Sequence, residues 1–94
     1  MLEQLEPEQI EAEIAALNAA VDNFAAAMKA TLAHMVRAEN RTGWADPANA
    51  EDYYKKLLAH AAAMRLAAGQ EVNIANFAMF LHYQRIVAPR GGQS

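Results

Sequence analysis

The sequence contains no cysteine, which excludes disulfides and thiolate metal sites. It has no apolar run approaching the roughly 20 residues that a membrane span needs. Its first residues show no basic segment followed by an apolar one, so no signal peptide is expected and the chain reads as soluble and cytoplasmic. The alternating Val, Ile or Thr runs that mark half-buried strands are missing. So are a phosphate-cradling Gly-rich motif, a Ser/His/Asp set and a Cys/His pair. Aromatic residues are few, at 7%.

What is there is alanine and helical spacing. The hydrophobic fraction is 54%, and much of it is alanine, which favours helix but buries little apolar area per residue. The 94 residues fit one small domain, and a chain of this size buries only part of its apolar surface by itself. An all-α fold is expected, a small bundle of three main helices completed by homo-oligomerisation into a dimer or tetramer. The helical domain should span 7–88, with a frayed start at 1–6 and a flexible tail at 89–94.

The first helix should begin with Pro7 in its first turn, where proline is tolerated and Glu8 and Glu11 suit the helix dipole. Apolar residues then fall at Ile10, Ile14, Leu17, Val21, Phe24, Met28 and Met35. With Thr31 and Leu32 near the one missing step, between Met28 and Met35, the spacing alternates four and three, that of a narrow packing seam. The helix should end near Glu39, because the following stretch to Pro47 carries Gly43 and proline as stop signals. Asp46 or Asn49 would cap the second helix, running from about Ala50 to Ala68. Its apolar line is Tyr53 or Tyr54, Leu57, Leu58, Ala61, Met64 and Leu66. The third helix should start at about Gln70 and stop before Pro89. It is apolar on nearly every side, which places it inside the bundle.

The net charge of −3 is unevenly spread. Residues 1–24 hold six acidic residues and no Lys or Arg, whereas the remainder holds eight basic residues against five acidic ones. An acidic first helix repels nucleic acid, so general DNA binding is not expected. The basic remainder suits a small anionic ligand.

Few side chains can carry chemistry. Trp44 lies in a loop beside Arg41, where the pair would stack on a base and meet phosphate, or where the indole plugs one end of the bundle. His60 has no carboxylate at helical spacing, so a metal ion there is not expected. His34 and His82 are isolated. Lys55 and Lys56 read as a solvated face. Asn73 and Asn76 are the strongest polar signal. They share one helix face beside Gln70, and buried amides need partners. Such amides either fix the register of a bundle or line a pocket.

Three blocks, Arg41-Thr-Gly-Trp44, Tyr54-Lys-Lys-Leu-Leu58 and Asn73-Ile-Ala-Asn76-Phe-Ala-Met-Phe-Leu81, together resemble the all-α MazG-like nucleotide pyrophosphohydrolases. The resemblance covers about residues 36–83. The Ala-Asn-Phe-Ala-Met block is its more specific part and the Gly-Trp loop the weaker one. It implies helical dimers or tetramers that hold a nucleoside triphosphate with magnesium on acidic residues and release pyrophosphate. The chain departs from that pattern at the chemistry. The family's first acidic pair falls on His60 and Ala63, and its second on Gln70 and Asn73. These side chains cannot hold magnesium comparably, and Glu71 is one residue out of register.

The resemblance therefore implies a nucleotide-like ligand, bound without cleavage, metal or cofactor, and the lack of a long apolar run implies no membrane association. A cyclic or dinucleotide signal would fit, as in a phage counter-defence protein. Arg41, Lys56 and Arg85 would meet phosphate. Trp44 would stack, helped by Tyr54 or Tyr83. His60, Asn73 and Asn76 would hydrogen-bond the base or sugar. The rival expectations are a helical module that binds another protein and a residual pyrophosphohydrolase that depends on Glu71.

Overall fold

The computed structural model describes residues 4–64 and 67–87. The expected flexible tail, most of the frayed start, and Leu66 of the second apolar line lie outside the described residues. Among the described residues there are three α-helices and no strand. Helix α1 is Pro7–Glu39, α2 is Ala50–Ala63 and α3 is Gln70–His82. A short 3₁₀ turn, Pro47–Asn49, leads into α2, and a π-helical turn, Tyr83–Val87, continues α3.

Local signals set the helix ends. Pro7 occupies the first turn of α1. The Gln9 side chain accepts from the Glu6 backbone N–H at 2.8 Å, so one otherwise orphaned donor is satisfied. At the other end Asn40 takes a left-handed conformation with φ 53°. Its N–H donates to Val36 O and that of Arg41 to Met35 O, which closes the last turn. Asp46 caps the 3₁₀ turn by accepting from Ala48 N–H at 2.9 Å. Asn49 precedes α2 but does not cap it. Its Nδ2 instead donates across the loop to Gly43 O at 2.8 Å.

Helix α2 is shorter than its sequence implies, ending at Ala63 rather than Ala68. Alanine alone would carry the helix on. Helix α3 packs back along α2, and this tertiary demand overrides local propensity. Gly69 supports the reversal with φ +91°, a conformation that other residues adopt only with strain.

Helix α3 is the element on which both others pack. Its Phe80 is fully buried and meets Trp44, Tyr53 and Phe77 ring to ring, at centroid distances of 5.7, 5.1 and 6.1 Å. The alternative between Tyr53 and Tyr54 resolves in favour of Tyr53, which is buried, while Tyr54 is exposed. Tyr53 and Phe80 are the buried hydrophobic residues among those described.

The seam on α1 divides into two parts. Met28, Thr31, Leu32 and Met35 are half-buried, on the part of α1 that packs on α3. Ile10, Ile14, Leu17, Val21 and Phe24 continue the stripe in an exposed state, with Leu17 and Val21 at 62% and 64% exposure. Every described residue from 4 to 24 is exposed. The radius of gyration is 17.0 Å, against about 12 Å for a compact chain of this length. The length of α1 contributes to the excess, since a helix of 33 residues is about 50 Å long.

Candidate functional site

The junction of the three helices encloses a cavity of about 300 Å³, at the lower end of the size range of small-molecule sites, ~300–1,000 Å³. The last turns of α1 contribute Thr31, Leu32, His34 and Met35, and the chain around its end adds Glu39 and Arg41. Helix α2 contributes His60. Helix α3 contributes Asn73, Asn76, Phe77 and Phe80, which recur at three- and four-residue steps on one face. The buried pair Asn76 and Phe80 lies deep, and the exposed side chains of His34, Glu39 and Arg41 form the rim.

The deep end is polar and internally ordered. Gln70 stands at the first turn of α3, where its Oε1 meets His60 Nδ1 from α2 and accepts from Asn73 Nδ2 at 3.4 Å. An amide oxygen takes a second partner only if that partner brings a proton. With Gln70 Oε1 as the shared acceptor, the His60 contact is made through an Nδ1–H donor. The imidazole also lies against the Phe77 ring, with centroids 5.1 Å apart. Asn76 is 4% exposed. Its Nδ2 donates to Met28 O on α1 at 3.5 Å, while its Oδ1 is buried with no hydrogen-bond partner.

Arg41 pairs with Glu39 through Nε, at 2.9 Å. Its side chain is 56% exposed, so the pair contributes little stability, and it leaves the Nη edge of the guanidinium uncommitted. Glu39 is the one carboxylate lining the cavity among the described residues. Glu71 is exposed and does not line it. No cluster of three His, Asp or Glu side chains suited to a metal ion occurs among the described residues.

The residues singled out in the sequence fall in separate places. Arg41, His60, Asn73 and Asn76 converge on this cavity. Trp44 does not line it. The indole packs on Phe80 and, at 4.8 Å between centroids, on Tyr83, while the Trp44 carbonyl accepts from Gln84 Nε2. Of its two expected arrangements, this is the end plug, and Tyr83 belongs to the same aromatic stack. Tyr54 and Arg85 line a different depression, of about 510 Å³, with Leu57, Leu81 and Ile86. Lys56 stands on α2 over the Tyr53 ring and pairs with Asp52 at 3.0 Å. The expected phosphate group of Arg41, Lys56 and Arg85 is thus not gathered at one pocket.

Sequence reasoning missed Thr31, Leu32, Met35 and Phe77 as cavity lining. They were legible only as seam and core, because the same apolar spacing serves both. His34 and Glu39 gave no signal, since a rim position is set by where α1 ends.

Compared with protein-family models, with curated proteins and with solved structures, the chain matches none.

Proposed function

We propose that this protein binds a nucleotide-like small molecule in the α1–α2–α3 cavity without cleaving it, and that it works as a homo-oligomer. One observation carries the reading. A small-molecule-sized cavity is lined by the hydrogen-bonding side chains of His60, Asn73 and Asn76, the first two tied to Gln70, and Asn76 has a buried amide oxygen without a partner. Left unsatisfied, such a group costs about 1–3 kcal/mol, and a ligand that pairs with it recovers that cost. The resemblance to MazG-like enzymes points the same way and marks the loss of chemistry. His60, Ala63, Gln70 and Asn73 stand where carboxylates would be needed to hold magnesium. With Glu39 held by Arg41, the lining presents no uncompensated negative charge to a phosphate. A cyclic or dinucleotide messenger is the ligand class most in keeping with sequestration, and a phage counter-defence role with this size and lack of catalysis.

The oligomer rests on the bare stripe of α1. Five large apolar side chains in succession at seam spacing are an interface pattern. The same stripe supports a second reading, a helical module that caps another protein through the acidic first half of α1.

Native mass spectrometry of gently purified protein without added metal tests the proposal. The expected result is an oligomer carrying a nucleotide-sized adduct, or taking one up from a panel of mono-, di- and cyclic nucleotides, with Asn73→Ala abolishing the adduct. A clean protein that ignores the panel would move the assignment to the protein-binding module.

A further inference from the structure

The cavity also indicates which part of a nucleotide sits at its deep end. The Asn76 amide can be oriented without ambiguity. One of its two atoms faces the main-chain carbonyl of Met28, which accepts and cannot donate, so that atom is Nδ2. The other atom is then Oδ1, which is buried and unpartnered. The nearest part of the cavity adds a second acceptor of the same kind. Gln70 Oε1 is shared by His60 Nδ1 and Asn73 Nδ2, which leaves Asn73 Oδ1 as the free atom of its amide. The deep end therefore presents two free amide oxygens, Asn73 Oδ1 and Asn76 Oδ1, as acceptors. The aromatic faces of Phe77 and Phe80 line the same region. The cationic group, Arg41, lies at the exposed rim.

We infer that the deep end of the cavity, at Asn76, takes the amino-bearing edge of a nucleobase, with the phosphate directed outward to Arg41. This rests on the nucleotide-binding reading and narrows it to bases with an exocyclic amino group, namely adenine, cytosine or guanine. The amino N–H donates to Asn76 Oδ1, and the ring lies among the phenylalanine faces, where base stacking is tolerant of sequence. A phosphate placed at the deep end would meet acceptor oxygens and be repelled. A site built to pair with a ligand N–H rejects analogues that lack it, because the buried acceptor is then left orphaned again.

Isothermal titration with matched ligands tests this. Adenosine 5′-monophosphate and purine riboside 5′-monophosphate differ only by the 6-amino group, and cytidine 5′-monophosphate and its 4-deamino analogue provide the pyrimidine pair. The expected result is at least a tenfold weaker Kd for the deamino ligand of whichever pair binds. In Asn76→Leu, which keeps the volume and removes the orphaned oxygen, the two ligands should bind alike. Equal binding of both members to the wild-type protein would overturn the inference while leaving nucleotide binding intact. Discrimination that survives in Asn76→Leu would also overturn it, assigning the amino group to another acceptor. If no member of either pair binds, the inference is overturned, and the nucleotide reading stands or falls with the wider panel of mono-, di- and cyclic nucleotides.

Discussion

Gly43 and Gly69 both hold positive φ, at +85° and +91°, yet replacement by alanine should not cost the same. A Cβ on Gly69 would meet nothing within 4 Å, so Gly69→Ala carries only the backbone penalty of about 1–2 kcal/mol. A Cβ on Gly43 would lie 3.1 Å from Asn49 Nδ2, the group that donates to the carbonyl of Gly43 itself. Gly43→Ala should therefore lose that hydrogen bond as well, a further ~1 kcal/mol. Urea denaturation of the two variants measures the difference, and equal losses would show that the Asn49 bond does not brace the loop. At this scale the sequence was legible where residue type restricts geometry. Gly43 was readable as left-handed, and Asn73 and Asn76 as a shared polar face. It was silent on partners far along the chain. Nothing local says that Asn76 meets Met28 or that His60 meets Gln70, and Trp44 looked equally suited to a ligand or to Phe80. Burial decides such cases, and burial is a tertiary property.

Among the elements, α1 and α3 were the more readable. Residue types that force a boundary stand at both ends of α1, Pro7 and Asn40, and at the start of α3, Gly69. Helix α2 was less so, because its end is imposed by α3 packing back against it and no residue near Ala63 announces a stop. The seam of α1 was correctly periodic, but periodicity does not say what covers it. Single-chain packing covers the stretch around Met28 to Met35 and leaves Ile10 to Phe24 bare. If the bare half served only as a solvated arm, replacing Leu17 and Val21 would change stability by less than about 0.5 kcal/mol. If it is an interface, the pair Leu17→Glu and Val21→Glu places four like charges across a two-fold contact of two copies. Light scattering should then show the mass falling to that of a single protomer, with the helical circular dichroism of α2 and α3 retained. An unchanged mass would remove α1 from the assembly.

For the whole molecule the question is whether one copy can hold itself together. Marginal stability is the rule, and small domains sit closest to the edge because little of their surface is buried. Here Tyr53 and Phe80 are the buried hydrophobic residues among those described, and twelve large apolar side chains are exposed, five of them along α1 from Ile10 to Phe24. Hydrophobic burial is the main favourable term in folding, so a single copy leaves the part carried by those exposed side chains unused. Ion pairs do not make up the deficit. Lys55 with Glu51 and Lys56 with Asp52 lie on the outer face of α2 at solvent-exposed positions, where such pairs are worth a few tenths of a kcal/mol. Stability that comes from association depends on concentration by mass action. A hundredfold rise in concentration adds about 2.7 kcal/mol per dimer. Shared between two chains, this corresponds to a Tm increase on the order of 5–10 °C for a domain of this size. Thermal melts followed by circular dichroism across that range should show the increase in the wild-type protein and lose it in the Leu17→Glu, Val21→Glu variant. A wild-type Tm independent of concentration would mean that the α2–α3 hairpin and the last turns of α1 suffice by themselves, and that the bare stripe is kept for a partner other than a second copy.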